Sequence, residues 1–335
     1  MSLQRYGILK GKPADKTMAS SANEHFQILM DAGSENHRIA INVKSKLSPP
    51  EVLFFMDHDY RHEITDAIAN ENLSYGYTQL ESKPGGIAVD FLRRNMFDVT
   101  DMKAIPYNKP GADNDVNEKL NFYVSQAINE NNAIVYAWGE KWGPERNKAD
   151  QYFRFKPGNG IHDIHMNQGN SGKYKRDNGV WQDGALMIHF PSRDQWVAVF
   201  IAFQVQSFLT DDITGDPLTG VVPKGLKIPV RIIAAMVNPS GDDVGKEYVI
   251  LLNKSSKDID LNGWSIMDKS NERYDVITNK IIPAGDTLKI RLSGEGAQLS
   301  NKGGIITLLN SEGLKIDGVS YTSADADVQG ELVEL

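Results

Sequence analysis

Residues 160–170 read Gly-Ile-His-Asp-Ile-His-Met-Asn-Gln-Gly-Asn and gather polar, ligand-forming side chains as no other stretch of the chain does. His162 and His165 lie three apart with Asp163 between them, and Asn167 and Gln168 follow. Imidazoles ligate metals or move protons near neutral pH. A neighbouring carboxylate orients an imidazole, and amides grip phosphate or amide groups. On a strand Asp163, His165 and Asn167 would share one face, with His162 and Ile164 on the other. On a helix His162 and His165 would share a face. The flanking Gly160 and Gly169 favour a strand or loop.

A metal site needs further ligands. Glu140, Asp177 and Asp183 stand on segments able to approach, and Gln182 and Gln204 are expected to complete a polar sheet edge. Three uses of this cluster stay open. His162, His165 and Asp183 would hold a divalent metal. Alternatively a metal-free site would use His165 as base, His162 as acid and Asp163 as the orienting group, with Asn167, Gln168, Gln182 and Gln204 binding ligand. In the third, the same groups satisfy buried loop backbone. The absence of H-E-x-x-H weakens the metal use, and the absence of G-x-S-x-G argues against a serine hydrolase of the usual kind. The Lys83-Pro84-Gly85-Gly86 stretch lacks phosphate-loop or dinucleotide spacing.

Short, partly alternating segments at 6–10, 25–30 and 38–43 predict strands, and the apolar run 52–56 a strand or short helix. Helical spacing predicts helices over 62–70 and 116–128, the latter with Val116, Leu120, Val124, Ala127 and Ile128 in one stripe. Strands are predicted again at 133–138 and 152–155. The segments 180–190 and 196–206 read as an antiparallel hairpin, with an Asp177-Asn178-Gly179 turn before it. Residues 210–228, rich in Asp, Gly, Pro and Thr, read as a linker between a domain over 1–209 and a second over 229–325, with 326–335 as a tail. Beyond the linker, seven short strands at intervals of about ten residues suggest a β-sandwich, with Trp264 as a core anchor. The expected fold class is α+β: a mainly antiparallel first domain with two or three helices, then an immunoglobulin-like sandwich.

A chain of 335 residues with 40% hydrophobic and 24% charged residues has the profile of a two-domain globular protein. The net charge of −8 disfavours non-specific attraction to nucleic acid or anionic lipid, without excluding a local basic groove. Both parts, divided at residue 224, carry an acidic excess. With no cysteine, neither disulfide nor thiolate chemistry is available. No stretch has the length of a membrane span or the order of a signal peptide, and the expected location is cytoplasmic.

Two resemblances follow from motifs. Asn238-Pro239, Gly245 to Val249, Asp260-Leu261-Asn262-Gly263-Trp264, Ala284-Gly285-Asp286, Leu299 to Gly304 and Gly318 to Tyr321 make 232–322 resemble the lamin tail domain. That resemblance implies an immunoglobulin-like sandwich that targets a protein or surface partner and holds no catalytic group. Tyr6 to Gly11, Tyr136 to Glu140, residues 160–170, Asp177 to Gly184, Ala202 to Gln206 and Thr210-Asp211-Asp212 make 6–220 similar to the YukJ-like family of bacterial proteins. That resemblance implies no particular activity. The expected function is hydrolysis of phosphodiester or related bonds in a small or polymeric substrate, with or without a divalent metal. The alternative is a non-catalytic ligand-binding or scaffold protein.

Overall fold

The computed structural model describes residues 5–45, 50, 52–80, 87–89, 96–106, 115–163, 184–204, 228–268 and 273–335. The first half contains β1 (Tyr6–Thr17), β2 (His25–Asp31), β3 (Asn36–Asn42), β4 (Val52–Asp57), α1 (Glu63–Asn70), β5 (Gly76–Gln79), β6 (Lys103–Ala104), α2 (Asp115–Asn129), β7 (Ile134–Glu145), β8 (Gly158–His162), β9 (Gly184–Phe190) and β10 (Gln195–Phe203). These strands form one sheet in the order β5-β1-β2-β3-β8-β7-β9-β10-β4-β6, and β1 also pairs with β7. That extra pairing closes β1, β2, β3, β8 and β7 into a five-stranded barrel.

The barrel closes because β1 is long enough to serve two neighbours. Its first half lies antiparallel to β7, from Tyr6 opposite Glu140 to Gly11 opposite Val135. Its second half lies antiparallel to β2, from Lys12 opposite Asp31 to Thr17 opposite Gln27. The β3–β8 pair is parallel, so the sheet is mixed rather than wholly antiparallel. Two close approaches demand glycine. A Cβ at Gly139 would stand 1.9 Å from the His162 carbonyl oxygen, and one at Gly160 would stand 2.0 Å from that of Arg38.

Alternation decides the two faces of the barrel wall. Phe26, Ile28 and Met30 of β2, Ile39 and Ile41 of β3, Ile161 of β8 and Val135 and Ala137 of β7 point inward to one core. The stripe Val116, Leu120, Val124 and Ala127 of α2 seals that core. Asn117, fully buried, locks the helix to the β1–β2 turn by exchanging two hydrogen bonds with the Ala19 backbone. Beyond β7 the sheet continues through the hairpin β9–β10, as expected, and its second face packs on α1 and on residues 87–89 and 96–102. His62 begins α1 as its cap, its Nδ1 accepting from the Ile64 N–H.

Beyond residue 228 come β11 (Val230–Met236), β12 (Tyr248–Asn253), β13 (Ile259–Asp260), β14 (Ser265–Met267), β15 (Tyr274–Val276), β16 (Ile281–Ile282), β17 (Thr287–Arg291), β18 (Gly303–Leu309), β19 (Lys315–Thr322) and β20 (Val333–Glu334). They form two four-stranded antiparallel sheets, β17-β12-β11-β20 and β15-β14-β18-β19, and the small pair β13-β16. Val230, Ile232, Val249 and Leu251 from one sheet meet Ile266, Ile306, Leu308, Val319 and Tyr321 from the other in a shared core. Asp317 ties the sheets, accepting from Arg231 Nε at 3.0 Å and from the Ile232 N–H at 2.8 Å.

Strands dominate the protein, and the described residues contain two α-helices, within the two or three expected. Three expectations need correction. Residues 152–155 form a turn, not a strand, because Asp150 Oδ1 accepts the N–H groups of Tyr152 and Phe153 and Arg154 takes a left-handed φ of 64°. Trp264 is only half-buried at the margin of the sandwich core. Residues 333–334, read as part of a tail, add a strand beside β11 and bury Val333.

Candidate functional site

The outward face of the barrel wall is polar along one line. Register aligns Gln27, Ala40, His162 and Glu140 across β2, β3, β8 and β7, and Arg38, Gly160 and Trp142 beside them. All of these but Gly160 line an open cleft of about 690 Å³, together with His25 and residues 148–152 of the β7–β8 loop. Its floor is a fixed guanidinium. Arg38 donates from Nε to Asp150 and from Nη1 to Gln27, each at 2.6 Å. The Trp142 and Tyr152 rings both lie against it, at 4.6 and 4.8 Å. Tyr152 Oη donates to Asn23 Oδ1 at 2.8 Å, which ties the β7–β8 loop to the β1–β2 turn.

At the other end of the cleft the two imidazoles of His25 and His162 meet edge to face, Nε2 to Nε2 at 2.9 Å. One ring must donate and the other accept. His162 Nδ1 lies 3.4 Å from Asp163 Oδ1, and both Asp163 oxygens accept from the Asn42 N–H at 3.1 Å. β8 ends at His162, so strand alternation does not separate these neighbours. The Asp163 N–H instead bonds the Ala40 carbonyl at 3.0 Å. The result is a line, Asp163 to His162 to His25, in which a carboxylate stands within ion-pair distance of one imidazole and that imidazole meets a second. Such an order can hold a proton at a defined atom beside a ligand.

The sequence-predicted residues divide three ways. His162, Asp163 and Glu140 come together here. Gln204 does not: it is fully buried at the end of β10, where its Nε2 donates to the Pro50 carbonyl and to that of Gly313 at 2.6 Å. It therefore joins the two halves of the molecule, beside Met267, Ile305 and Leu309, which pack into the barrel-side core. His165, Asn167, Gln168, Asp177, Gln182 and Asp183 lie outside the described residues. Among the described residues no three His, Asp or Glu side chains are grouped to hold a metal ion.

Sequence reasoning missed His25, Arg38, Trp142, Asp150 and Tyr152. Polar residues at alternate positions of β2, His25 and Gln27, were the available signal. Nothing local marks Arg38 and Asp150 as partners.

A sequence model of the family described as "Uncharacterized conserved protein (DUF2278)" matches residues 1–215. The chain belongs to this family. The Bacillus subtilis (strain 168) protein described as "Uncharacterized protein YukJ" is similar to it, 42% identical over 223 residues, covering 65% of this chain and 96% of that protein. The Lamin Tail Domain model matches residues 227–323. The barrel and its cleft thus lie in the part that the family model matches, and the two-sheet part matches the second model. No helix among the described residues is long and apolar enough to cross a membrane.

Proposed function

We propose that this family member is a ligand-binding protein whose site is the barrel cleft, and that it takes a polar ligand carrying both anionic and flat ring groups. The observation that carries this reading is the Trp142–Arg38–Tyr152 stack, held by Asp150 and Gln27 before any ligand arrives. Preorganised aromatic and guanidinium groups in an open concave surface cost little further ordering on binding. The test is a thermal-shift panel of inorganic phosphate, nucleotides, oligonucleotides and oligosaccharides on the full chain. A ligand that raises the melting temperature of the wild type and not of Trp142→Ala supports the cleft. A panel with no such ligand removes it.

A second reading, hydrolysis of a phosphodiester or related bond, draws its support from the Asp163–His162–His25 chain. His162 would act as acid or base and Asp163 would orient it, with the neighbouring His165 as a further base or metal ligand. The sandwich would then target a protein or surface partner. Turnover of generic phosphodiesters, with and without divalent metals, and its loss in His162→Ala test this reading.

A further inference from the structure

We propose that the ligand of the cleft is single-stranded nucleic acid, running across β2 and β3 between the β1–β2 turn and the β7–β8 loop. This deepens the ligand-binding reading and rests on it.

The first support is connectivity. Counting barrel strands alone, β1, β2 and β3 are the first three and pair antiparallel in sequence. β7 is the fourth and β8 the fifth. The fifth lies parallel to the third and antiparallel to the fourth, and the first closes on the fourth. α2 lies between the third and fourth strands and seals one end. This is the arrangement of the OB-fold barrel, whose second and third strands, flanked by the one–two and four–five loops, form a surface for oligonucleotides or oligosaccharides. The cleft occupies that surface, and the Tyr152–Asn23 bond joins those two loops.

The second support is charge, and it chooses between the two ligand classes. From 141 to 156 the chain places Lys141, Arg146, Lys148, Arg154 and Lys156 against only Glu145 and Asp150. Asp150 is already taken by Arg38. Arg146, Lys148, Arg154 and Lys156 are exposed, and among the described residues none has an acidic partner. Glu140 also lines the cleft, so the cationic excess belongs to the loop above it rather than to the floor. Neutral sugars need no such row of open cations, whereas a phosphodiester backbone does. Trp142, Tyr152, Phe153 and Phe155 interleave with these cations, each half-buried. Aromatic faces beside a cationic track are what a single strand uses, stacking its bases and laying its backbone along the charge. The net charge of −8 disfavours such attraction over the surface at large.

The experiment uses the full chain and a fluorescein-labelled thymidine oligonucleotide of about 12 residues, within the span of one such barrel. Anisotropy should report saturable binding that weakens steadily as salt is raised. Joint Arg146→Glu and Lys148→Glu substitution should weaken it about tenfold or more without moving the melting temperature. Trp142→Ala should weaken it comparably through lost stacking. A folded wild type that binds no single strand at low salt overturns the proposal, as does binding that both variants leave intact. If oligosaccharides stabilise the wild type and not Trp142→Ala while oligonucleotides do nothing, nucleic acid is wrong and the ligand-binding cleft stands. If no compound of the panel acts through the cleft, both fall.

Discussion

Two buried carboxylates, one in each half of the molecule, are accommodated in opposite ways. Asp150, its side chain 1% exposed, sits 2.6 Å from the Arg38 guanidinium and also accepts two N–H groups from the turn that follows it. Glu247, 2% exposed, accepts the Leu299 N–H at 3.0 Å and has no cation beside it among the described residues. Burial pushes its carboxyl up to about 8, the Leu299 bond opposes the rise, and Asp243, Asp268 and Asp275 add to it. Asp150 is matched by a cation from β3, as Asp317 of the sandwich is by Arg231, whereas Glu247 is matched by a proton. The first solution fixes a guanidinium, two aromatic rings and a loop at the lip of an open cleft. The second fixes only the sandwich.

The sharpest way to break this contrast is to remove one partner from the barrel pair. Asp150→Ala leaves the Arg38 guanidinium largely buried without its counter-charge and frees the turn at 152–155. We expect a loss of about 3–5 kcal/mol of stability by denaturant titration. Replacing both partners, Arg38→Met with Asp150→Leu, should cost far less than the two single changes together, since no unpaired charge remains. An Asp150→Ala variant within about 1 kcal/mol of the wild type would mean the pair is ornamental, and the fixed floor of the cleft would go with it.

The sandwich responds to pH where the barrel pair responds to mutation. The folded Glu247 carboxyl titrates near 8 and the unfolded one near 4.5. Between those values the unfolded chain has released a proton that the folded protein keeps. Stability contributed by this group is therefore complete below about 4.5, falls as pH rises through the window, and levels off above about 8. The fall should amount to on the order of a few kcal/mol. Glu247→Gln should flatten that part of the stability curve and melt higher than the wild type above pH 8. A wild-type curve flat over this window, or an unchanged slope in the glutamine variant, would show that a counter-charge reaches Glu247 after all.

What was legible in the chain followed the range of the interactions. The stripe of α2 and the hairpin β9–β10 each depend on residues a few positions apart, and periodicity or turn chemistry marks them. The site depends on longer links. Arg38 and Asp150 are 112 positions apart, and His25 and His162 are 137 apart. Only the closure of β1 onto β7, and the parallel seating of β8 against β3, brings them to one face. Composition flagged His162 and Asp163 because unusual side chains clustered in sequence. It misplaced Gln204 for the same reason: a polar residue at a strand end was read as part of the cluster, while β10 lies two strands beyond β7 and carries it to the other half of the molecule. Trp264 was overvalued because size predicts burial only on average.

The smallest expected effect discriminates most between site and scaffold. His162 keeps 19% of its side chain exposed and meets His25 beside an open cleft, so water can replace either ring nitrogen when one imidazole is removed. When it is truncated the buried Asp163 keeps its bonds from the Asn42 N–H, whereas Arg38 loses its counter-charge with Asp150. We expect His162→Ala to cost about 1 kcal/mol or less, a shift of a few degrees in the melting temperature. The same variant should lose much more in whatever the cleft binds or turns over, since the Asp163–His162–His25 chain ends there. The two readouts must separate for His162 to be a site residue. Should His162→Ala unfold the protein as readily as Asp150→Ala, the histidine pair would be part of the barrel wall, and the cleft would keep only its aromatic and guanidinium half.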